Sequence, residues 1–215
     1  IKLPTKKADI NLRKFFNYIM EKTDGQVVIN LDATADNRTG YHYFYEYGNL
    51  FLENRYTDWT NYYPHWTLRN LWMLSKYVPA EKFQMEFLNK WRNAKKYGLD
   101  DPLAPANIPF EYAFAVTMMA QPLAWFEGTG LPEEAFKIAP TIKAYRKHQS
   151  DIHNGIILPI GKEPNGATWT GFQSILNQKE GYVLVFREYN PENSVKLKLS
   201  NLNEKEITFR HICGQ

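Results

Sequence analysis

The stretch "LFLENRYTDWTNYYPHWTLRNLW", residues 50–72, runs from an apolar segment through a polar cluster into a helical pattern. Its first three residues are typical of a short buried strand, and residues 64–78 predict a helix with Pro64 in the first turn. A strand, a loop and a helix in this order indicate one unit of a parallel α/β sheet. The polar cluster then falls at the carboxyl end of the strand, where such sheets form their sites.

The flanking segments extend this pattern in both directions. Apolar spacing predicts helices over residues 8–22, 80–94, 110–120 and 132–152, and strands over residues 27–30 and 122–127. The α/β part therefore offers three or four strands, too few for a closed eight-stranded barrel of about 200 residues or more.

The pattern changes after about residue 155. Strand candidates without intervening helices follow at residues 167–176, 181–189, 194–200 and 206–212. We therefore expect an α/β region over residues 1–154 and a truncated antiparallel β domain over residues 155–215.

Composition excludes several classes of protein. A hydrophobic content of 44% and a charged content of 23% are ordinary for a globular chain and exclude a disordered one. No apolar run approaches the length of a membrane span. The net charge is +3, and the lysines are scattered without a basic block, which disfavours a nucleic-acid partner. The single Cys213 cannot form an internal disulfide and is expected in a strand as an inert side chain.

Sequence motifs give no sign of a cofactor or metal ion. The chain has no P-loop, GxGxxG or GxSxG motif, and His42 and His65 lack the spacing of a metal site. The chain begins with Ile, and "IKLPTKKADINL" has no apolar core of a signal peptide. We therefore expect either that a leader has been removed or that the chain is a piece of a longer one.

Two polar clusters at predicted strand ends are the candidate site. The first cluster contains Asp32, Thr34, Asp36, Asn37 and Arg38, and the second contains Glu53, Asn54, Arg55, Asp58 and Trp59. Twelve of the 32 residues between positions 41 and 72 are aromatic, and rings beside carboxylates and amides suit a sugar. Glycoside hydrolysis needs two carboxyl groups flanking one bond, one of them protonated. Burial beside rings favours the protonated form.

Structural interpretations of the same residues remain open. A single acid is more often a helix cap or an ion-pair partner than a catalyst, and most aromatic residues belong to a core. Trp66, Leu68 and Trp72 fit the buried face of the helix that starts at Pro64.

Four segments together resemble a known family. They are "INLDATADNRTGY" (29–41), "LFLENRYTDW" (50–59), residues 121–155 and residues 166–190. In order and spacing, the chain from about residue 8 to 215 resembles the C-terminal part of melibiase-type α-galactosidases, glycoside hydrolase family 36 and its relatives. The resemblance implies the second half of a (β/α)8 TIM barrel followed by an antiparallel β-sandwich. It also implies retaining hydrolysis of an α-glycosidic bond in an oligosaccharide or glycoside, in a protein exported to the periplasm or outside the cell.

The resemblance also implies roles for individual residues. Glu53 matches the acid/base motif, and Asp58, the later acid of that motif, is the alternative. Arg38 matches the arginine that closes the sugar-binding loop, and Asp36 and Asn37 would hydrogen-bond hydroxyls. Asp32, Arg55 and Trp59, taken from the two clusters at the predicted strand ends, complete the predicted substrate-binding set.

This sequence departs from the family's pattern in two places. The family's cysteine and glycine run is replaced by "DATADN" (32–37), and Glu53 stands where the family has aspartate. Both departures put galactose specificity in doubt. The family's nucleophile falls upstream of residue 1, so the N-terminal half of the barrel is the expected partner, together with an exposed apolar flank where it would bind.

Two other functions are kept as alternatives. A non-catalytic carbohydrate-binding module would use the aromatic surface and Arg38 without chemistry. A structural or interaction domain would hold Glu53 and Asp58 in salt bridges and bind no sugar.

Overall fold

The computed structural model describes residues 5–32, 43–51, 55–98, 100–126, 128, 130–177, 179–202 and 206–214 of the chain, with Thr5 and Asp32 described by their backbone alone. The helices are α1 Thr5–Lys22, α2 Phe44–Tyr47, α3 Pro64–Leu74, α4 Phe110–Ala115, α5 Glu133–Phe136, α6 Ala139–Arg146 and α7 Gln149–Asn154. The strands are β1 Ile29–Asp32, β2 Gly48–Phe51, β3 Phe83–Phe87, β4 Gln121–Ala124, β5 Ile156–Gly161, β6 Trp169–Ile175 and β7 Gly181–Arg187.

The strands form two sheets of different type. Strands β1 to β4 make a four-stranded parallel sheet in sequential order, with helices between them. Strands β5 to β7 make a three-stranded antiparallel sheet. The predicted order of an α/β region followed by an antiparallel β region is therefore confirmed at this level.

The two faces of the parallel sheet differ in chemistry. In-register pairing puts Leu31, Leu50 and Phe83 in one row, and Met85 on β3 lies on the same face. Helix α3 covers this apolar face with Leu68, Leu71 and Trp72, all in the main hydrophobic core. The opposite face carries the polar Asn30, Gln84 and Glu86 beside the apolar Phe51. On it, Asn30 Nδ2 donates to Gln84 Oε1 at 2.6 Å.

A smaller cluster covers the start of the sheet. Phe16 of α1 is buried against Tyr43 and Tyr47, with ring centroids 5.5 and 5.1 Å away, and Ile29 and Leu31 pack on this group. The helix predicted over residues 8–22 is thus confirmed as α1, whose 18 residues make about five turns. No helix among the described residues is both long and apolar enough to span a lipid bilayer.

The helix predicted over residues 80–94 is wrong. This segment contains β3, which pairs with β2 on one side and β4 on the other. Phe83, Met85 and Phe87 alternate with Gln84 and Glu86, the period of a strand with two different faces. Pairing on both edges outweighs the helix propensity of the Glu, Lys and Met residues in the segment.

Other predicted elements also change. The single helix expected over residues 132–152 is divided into α5, α6 and α7, and Pro140 lies in the first turn of α6, a position that proline tolerates. Strand β5 was not predicted, because Pro159 interrupts its pattern; as an edge strand, β5 accommodates a proline. The described residues of segments 194–200 and 206–212 form no strand, and Cys213 likewise lies outside regular structure.

Candidate functional site

A cavity of about 370 Å³ opens at the carboxyl edge of the parallel sheet, lined by Tyr56, Thr57, Asp58, Leu88, Asn89, Arg92, Trp125 and Phe126. Strand β3 ends at Phe87, directly before Leu88 and Asn89, and β4 ends at Ala124, directly before Trp125. The third wall is a turn that follows β2. Ligands of parallel α/β proteins bind at this edge, so we name this space the edge cavity.

The turn of residues 55–61 is built from side-chain hydrogen bonds to its own backbone. Glu86 Oε1 accepts from the Arg55 amide at 2.7 Å, and Asn61 Oδ1 accepts from the Tyr56 amide at 2.7 Å. Thr60 closes the turn at φ 55°, with its amide donating to the Thr57 carbonyl at 3.2 Å. Two successive amides held by side chains fix the start of the described turn, the first of them by a bond to β3.

Asp58, one of the two predicted acids, lines the edge cavity and is engaged by three neighbours. Asn93 Nδ2 donates to its Oδ1 at 2.9 Å, Arg92 lies 3.5 Å from Oδ2, and Lys96 Nζ lies 3.9 Å from Oδ1. Lys96 Nζ also donates to the Asp58 carbonyl at 2.9 Å. The carboxylate is therefore directed to basic and amide groups of the segment that follows β3, as the structural alternative expects.

The rings of Tyr56, Trp125 and Phe126 line the same cavity, and Trp59 lies beside Tyr56 outside this lining. Trp59 is 70% exposed and meets the Tyr56 ring edge-on at 5.1 Å. Trp125 lies 5.6 Å from the Phe51 ring, on the more polar face of the sheet. Exposed ring faces next to carboxylate and amide groups fit the C–H and O–H surfaces of a sugar ring.

Arg55, predicted to bind substrate, contacts both the turn and α3. Its Nη1 donates to the Asn61 carbonyl at 3.1 Å, and its guanidinium lies 5.4 Å from the centre of the Trp66 ring. Trp66, expected on the buried face of α3, is 39% exposed, whereas Leu68 and Trp72 are buried as predicted. Arg55 thus braces the turn against α3.

Several predicted residues lie outside the described parts of the chain. They are Asp36, Asn37, Arg38 and Glu53, together with the side chain of Asp32, whose backbone ends β1 opposite Phe51. Within the described parts, Asp58 and Trp59 come together at the turn, and Arg55 lies at its base. In the part of the chain that the structure describes, no group of three or more His, Cys, Asp or Glu side chains could hold a metal ion.

Glu86 is the residue that sequence reasoning missed. It is a carboxylate with 1% exposure, one residue before the end of β3 and in direct contact with the turn. The wrong helix over residues 80–94 made it look like an ordinary surface acid. The alternation of Phe83, Met85 and Phe87 with Gln84 and Glu86 was the signal that could have identified a strand, with Glu86 on its more polar face.

Lys90, just past β3, is also buried. Burial lowers the pKa of its ammonium, while Glu134, 3.9 Å away, opposes that shift. Its Nζ donates to the Ile108 carbonyl, so it ties the loop before α4 to this edge of the sheet.

Comparison with known proteins returns nothing: no protein-family model, no curated protein and no solved structure matches this chain. The fold and the edge cavity thus define an α/β protein with a candidate small-molecule site, followed by an antiparallel β sheet. The resemblance to α-galactosidases stays a prediction.

Proposed function

We propose that this chain is the later half of a (β/α)8 glycoside hydrolase, α-galactosidase-like, with its antiparallel sheet belonging to a C-terminal β-sandwich. The observation that carries the proposal is the edge cavity, where aromatic rings and polar side chains meet at the carboxyl ends of parallel strands. The reaction is hydrolysis of an α-glycosidic bond with retention, on an oligosaccharide or glycoside substrate.

The arrangement of the sheet supports the half-barrel. Four sequential parallel strands with helices on one face and a more polar opposite face match an arc of a (β/α)8 barrel, in which the helices form the outer ring. Among the described residues β1 pairs with β2 alone and β4 with β3 alone, so each outer edge can accept another parallel strand. Four further strands would close the barrel.

An apolar flank lies at the β1 side of the sheet. Phe15 and Tyr18 of α1 and Val28 just before β1 are 57%, 56% and 63% exposed. Phe15 and Tyr18 lie on the exposed part of α1 beside the buried Phe16, with the Phe15 and Phe16 ring centroids 6.0 Å apart. In a barrel the preceding βα unit would cover this flank, in agreement with the N-terminal half as the partner.

The proposed chemistry gives different roles to the two predicted acids, Glu53 and Asp58. Glu53 acts as the general acid/base, giving a proton to the leaving-group oxygen and then taking one from water. Asp58 holds the turn through Asn93 and Arg92. Asp32 at the end of β1 and Asp36, Asn37 and Arg38 beyond it would bind sugar hydroxyls, and Trp59 would stack on the ring. The nucleophile comes from the N-terminal half.

The test combines composition with activity. The intact mass and native composition of the purified protein are measured beside an assay on a panel of nitrophenyl α-glycosides. We expect the active form to include the polypeptide that supplies the other strands, and turnover to disappear in Glu53→Gln. A stable, monomeric 215-residue chain without turnover would refute the enzyme proposal for this chain.

A carbohydrate-binding module is the second candidate, favoured by the exposure of the Trp59 ring. Such a module binds sugar by stacking and needs no acid. Calorimetric titration with the same sugars separates the two candidates, because a module keeps its affinity in Glu53→Gln and Asp58→Asn and shows no turnover in the unmodified protein.

A further inference from the structure

Glu86 is an unusual residue for the middle of a sheet. It lies on β3, between strands β2 and β4, with 1% of its surface exposed. A carboxylate so far from solvent is costly unless hydrogen bonds compensate it. Its Oε1 accepts from the Arg55 amide at 2.7 Å, a bond that joins β3 to the turn following β2.

The hydrogen bond from Arg55 fixes the start of the turn that lines the edge cavity. The next amide, Tyr56, is held by Asn61 within the turn itself. Glu86 is thus the contact that ties this internally bonded turn to the sheet at its first described residue. Tyr56 and Trp59, the two rings of the turn, follow directly.

The far side of the turn is held separately. Asn93 Nδ2 donates to Thr57 Oγ1 at 3.2 Å and to Asp58 Oδ1 at 2.9 Å. These bonds come from the segment after β3, whereas Glu86 acts from within the strand. Loss of Glu86 would therefore release the Arg55 amide, while the Arg55 side chain stays bonded to Asn61 and the Asp58 end stays attached to Asn93.

We propose that Glu86 is a positioning residue: it holds the Arg55 amide and so sets the Tyr56 ring at the wall of the edge cavity, with the exposed Trp59 ring packed edge-on against it. The role of those rings in sugar binding rests on the proposed function; the anchoring of the turn does not. An amide donor needs an acceptor oxygen, and a glutamine supplies the same Oε1. Leucine has a similar volume and supplies none.

The experiment compares Glu86→Leu and Glu86→Gln with the unmodified full chain. Amide hydrogen exchange is followed at Arg55, with the Phe172 amide of β6 as an internal control for global folding. In Glu86→Leu we expect Arg55 protection to fall about tenfold or more, the scale of one lost hydrogen bond to a charged group. In Glu86→Gln we expect it to stay within about threefold.

Two results would overturn the proposal. One is unchanged Arg55 protection in Glu86→Leu, since the amide would then not depend on the carboxylate. The other is a selective loss of Arg55 protection in Glu86→Gln, which also decides the matter if the leucine variant does not fold.

Sugar binding is read separately, so that the two proposals can fail independently. Titration with the α-glycosides that the unmodified protein binds should show a dissociation constant at least about tenfold weaker in Glu86→Leu and restored in Glu86→Gln. If the unmodified protein binds no sugar, the proposed function fails while the exchange result still decides the anchoring role. Normal affinity in a leucine variant with a released Arg55 amide would refute the part of the proposal that concerns the rings.

Discussion

The side-chain amide of Asn93 binds the carboxylate of Asp58, with Nδ2 donating to Oδ1 at 2.9 Å. Asn93 has φ 58°, a left-handed conformation that asparagine adopts more readily than most residues. Arg92 and Lys96, its neighbours in sequence, add charge to the same contact at 3.5 and 3.9 Å. The carboxylate of Asp58 is therefore held by the segment that connects β3 to α4, and it anchors the turn to that segment.

The first prediction separates the two acids by activity in the proposed hydrolase. Asp58→Asn keeps the oxygen that accepts from Asn93, so kcat/KM should fall less than about tenfold. Glu53→Gln removes a general acid, which typically contributes about 10²–10⁴ in rate. Steady-state assays on a nitrophenyl α-glycoside measure both, with thermal melts to control for folding. Near-normal turnover in Glu53→Gln combined with its loss in Asp58→Asn would assign the acid to Asp58 instead.

The second prediction concerns Gly171 at the centre of the antiparallel sheet. A Cβ at this position would collide with the carbonyl oxygen of Leu184 on the neighbouring strand β7. Since backbone atoms of a paired strand cannot move aside cheaply, Gly171→Ala should destabilise the fold by about 2 kcal/mol or more. Urea unfolding provides the measurement.

Gly98→Ala is the matched control for Gly171. Its added Cβ would find Asp101 Cβ at 3.7 Å, an ordinary contact. We expect a change within about 1 kcal/mol, with stabilisation possible through the unfolded state. Equal effects of the two substitutions would show that the strand pairing around Gly171 is not as described.

The third prediction tests the connection between the two sheets. Trp72 of α3 is buried, and its Nε1 donates to the Ile160 carbonyl of β5 at 3.1 Å. Trp72→Phe removes that donor and part of the buried ring, so the free energy of unfolding should fall by about 2 kcal/mol. On the same helix, Trp66→Phe should cost less than about 1 kcal/mol, because the Trp66 ring is 39% exposed. Denaturant titration of both variants compares a buried indole with an exposed one, and a Trp72→Phe variant as stable as Trp66→Phe would contradict the prediction.

The sequence was sufficient for elements with a single clear period. Helix α1 follows from the apolar residues at helical spacing, and β6 and β7 follow from β-branched and aromatic runs between turns. Segment 80–94 failed, because Glu, Lys and Met favour a helix locally while pairing with β2 and β4 imposes a strand. Such pairing joins residues more than 30 positions apart and leaves no local signal.

The candidate site could be predicted only in part from the sequence, for the same reason. Asp58 and Trp59 could be proposed from the sequence, because the polar cluster that contains them follows an apolar segment. Glu86 could not, since its importance depends on contact with Arg55, 31 residues earlier. The charged partners of Asp58 likewise come from the segment after β3, whose strand was misassigned.

The fourth prediction is a loss of stability on mild acidification. Burial lowers the pKa of His153 from its ordinary value of 6.5, partly offset by the carbonyls of Met118 and Ala120. Gln121 Nε2 lies 3.2 Å from His153 Nδ1, and with the amide as donor this nitrogen carries no proton. Protonation of Nδ1 would set two donors against each other.

The direction of the pH effect follows from proton binding in the two states. Between the lowered pKa of the folded chain and 6.5, the unfolded chain binds more protons at His153, so the free energy of unfolding falls as the pH drops. Burial lowers the pKa of His65 as well, with Glu188 opposing, and adds to the same trend. The slope for each histidine cannot exceed about 1.4 kcal/mol per pH unit.

Urea unfolding at several pH values from above to below the ordinary histidine pKa measures this slope. His153→Gln should make the dependence on pH shallower, whatever its effect on absolute stability, because the titrating group is gone. The unmodified chain, unfolded in the same buffers, gives the slope with which the variant is compared. If His153→Gln also retains that slope, the ring of His153 is protonated equally in the folded and unfolded chains, and its contacts with Gln121 and Met118 do not hold it neutral.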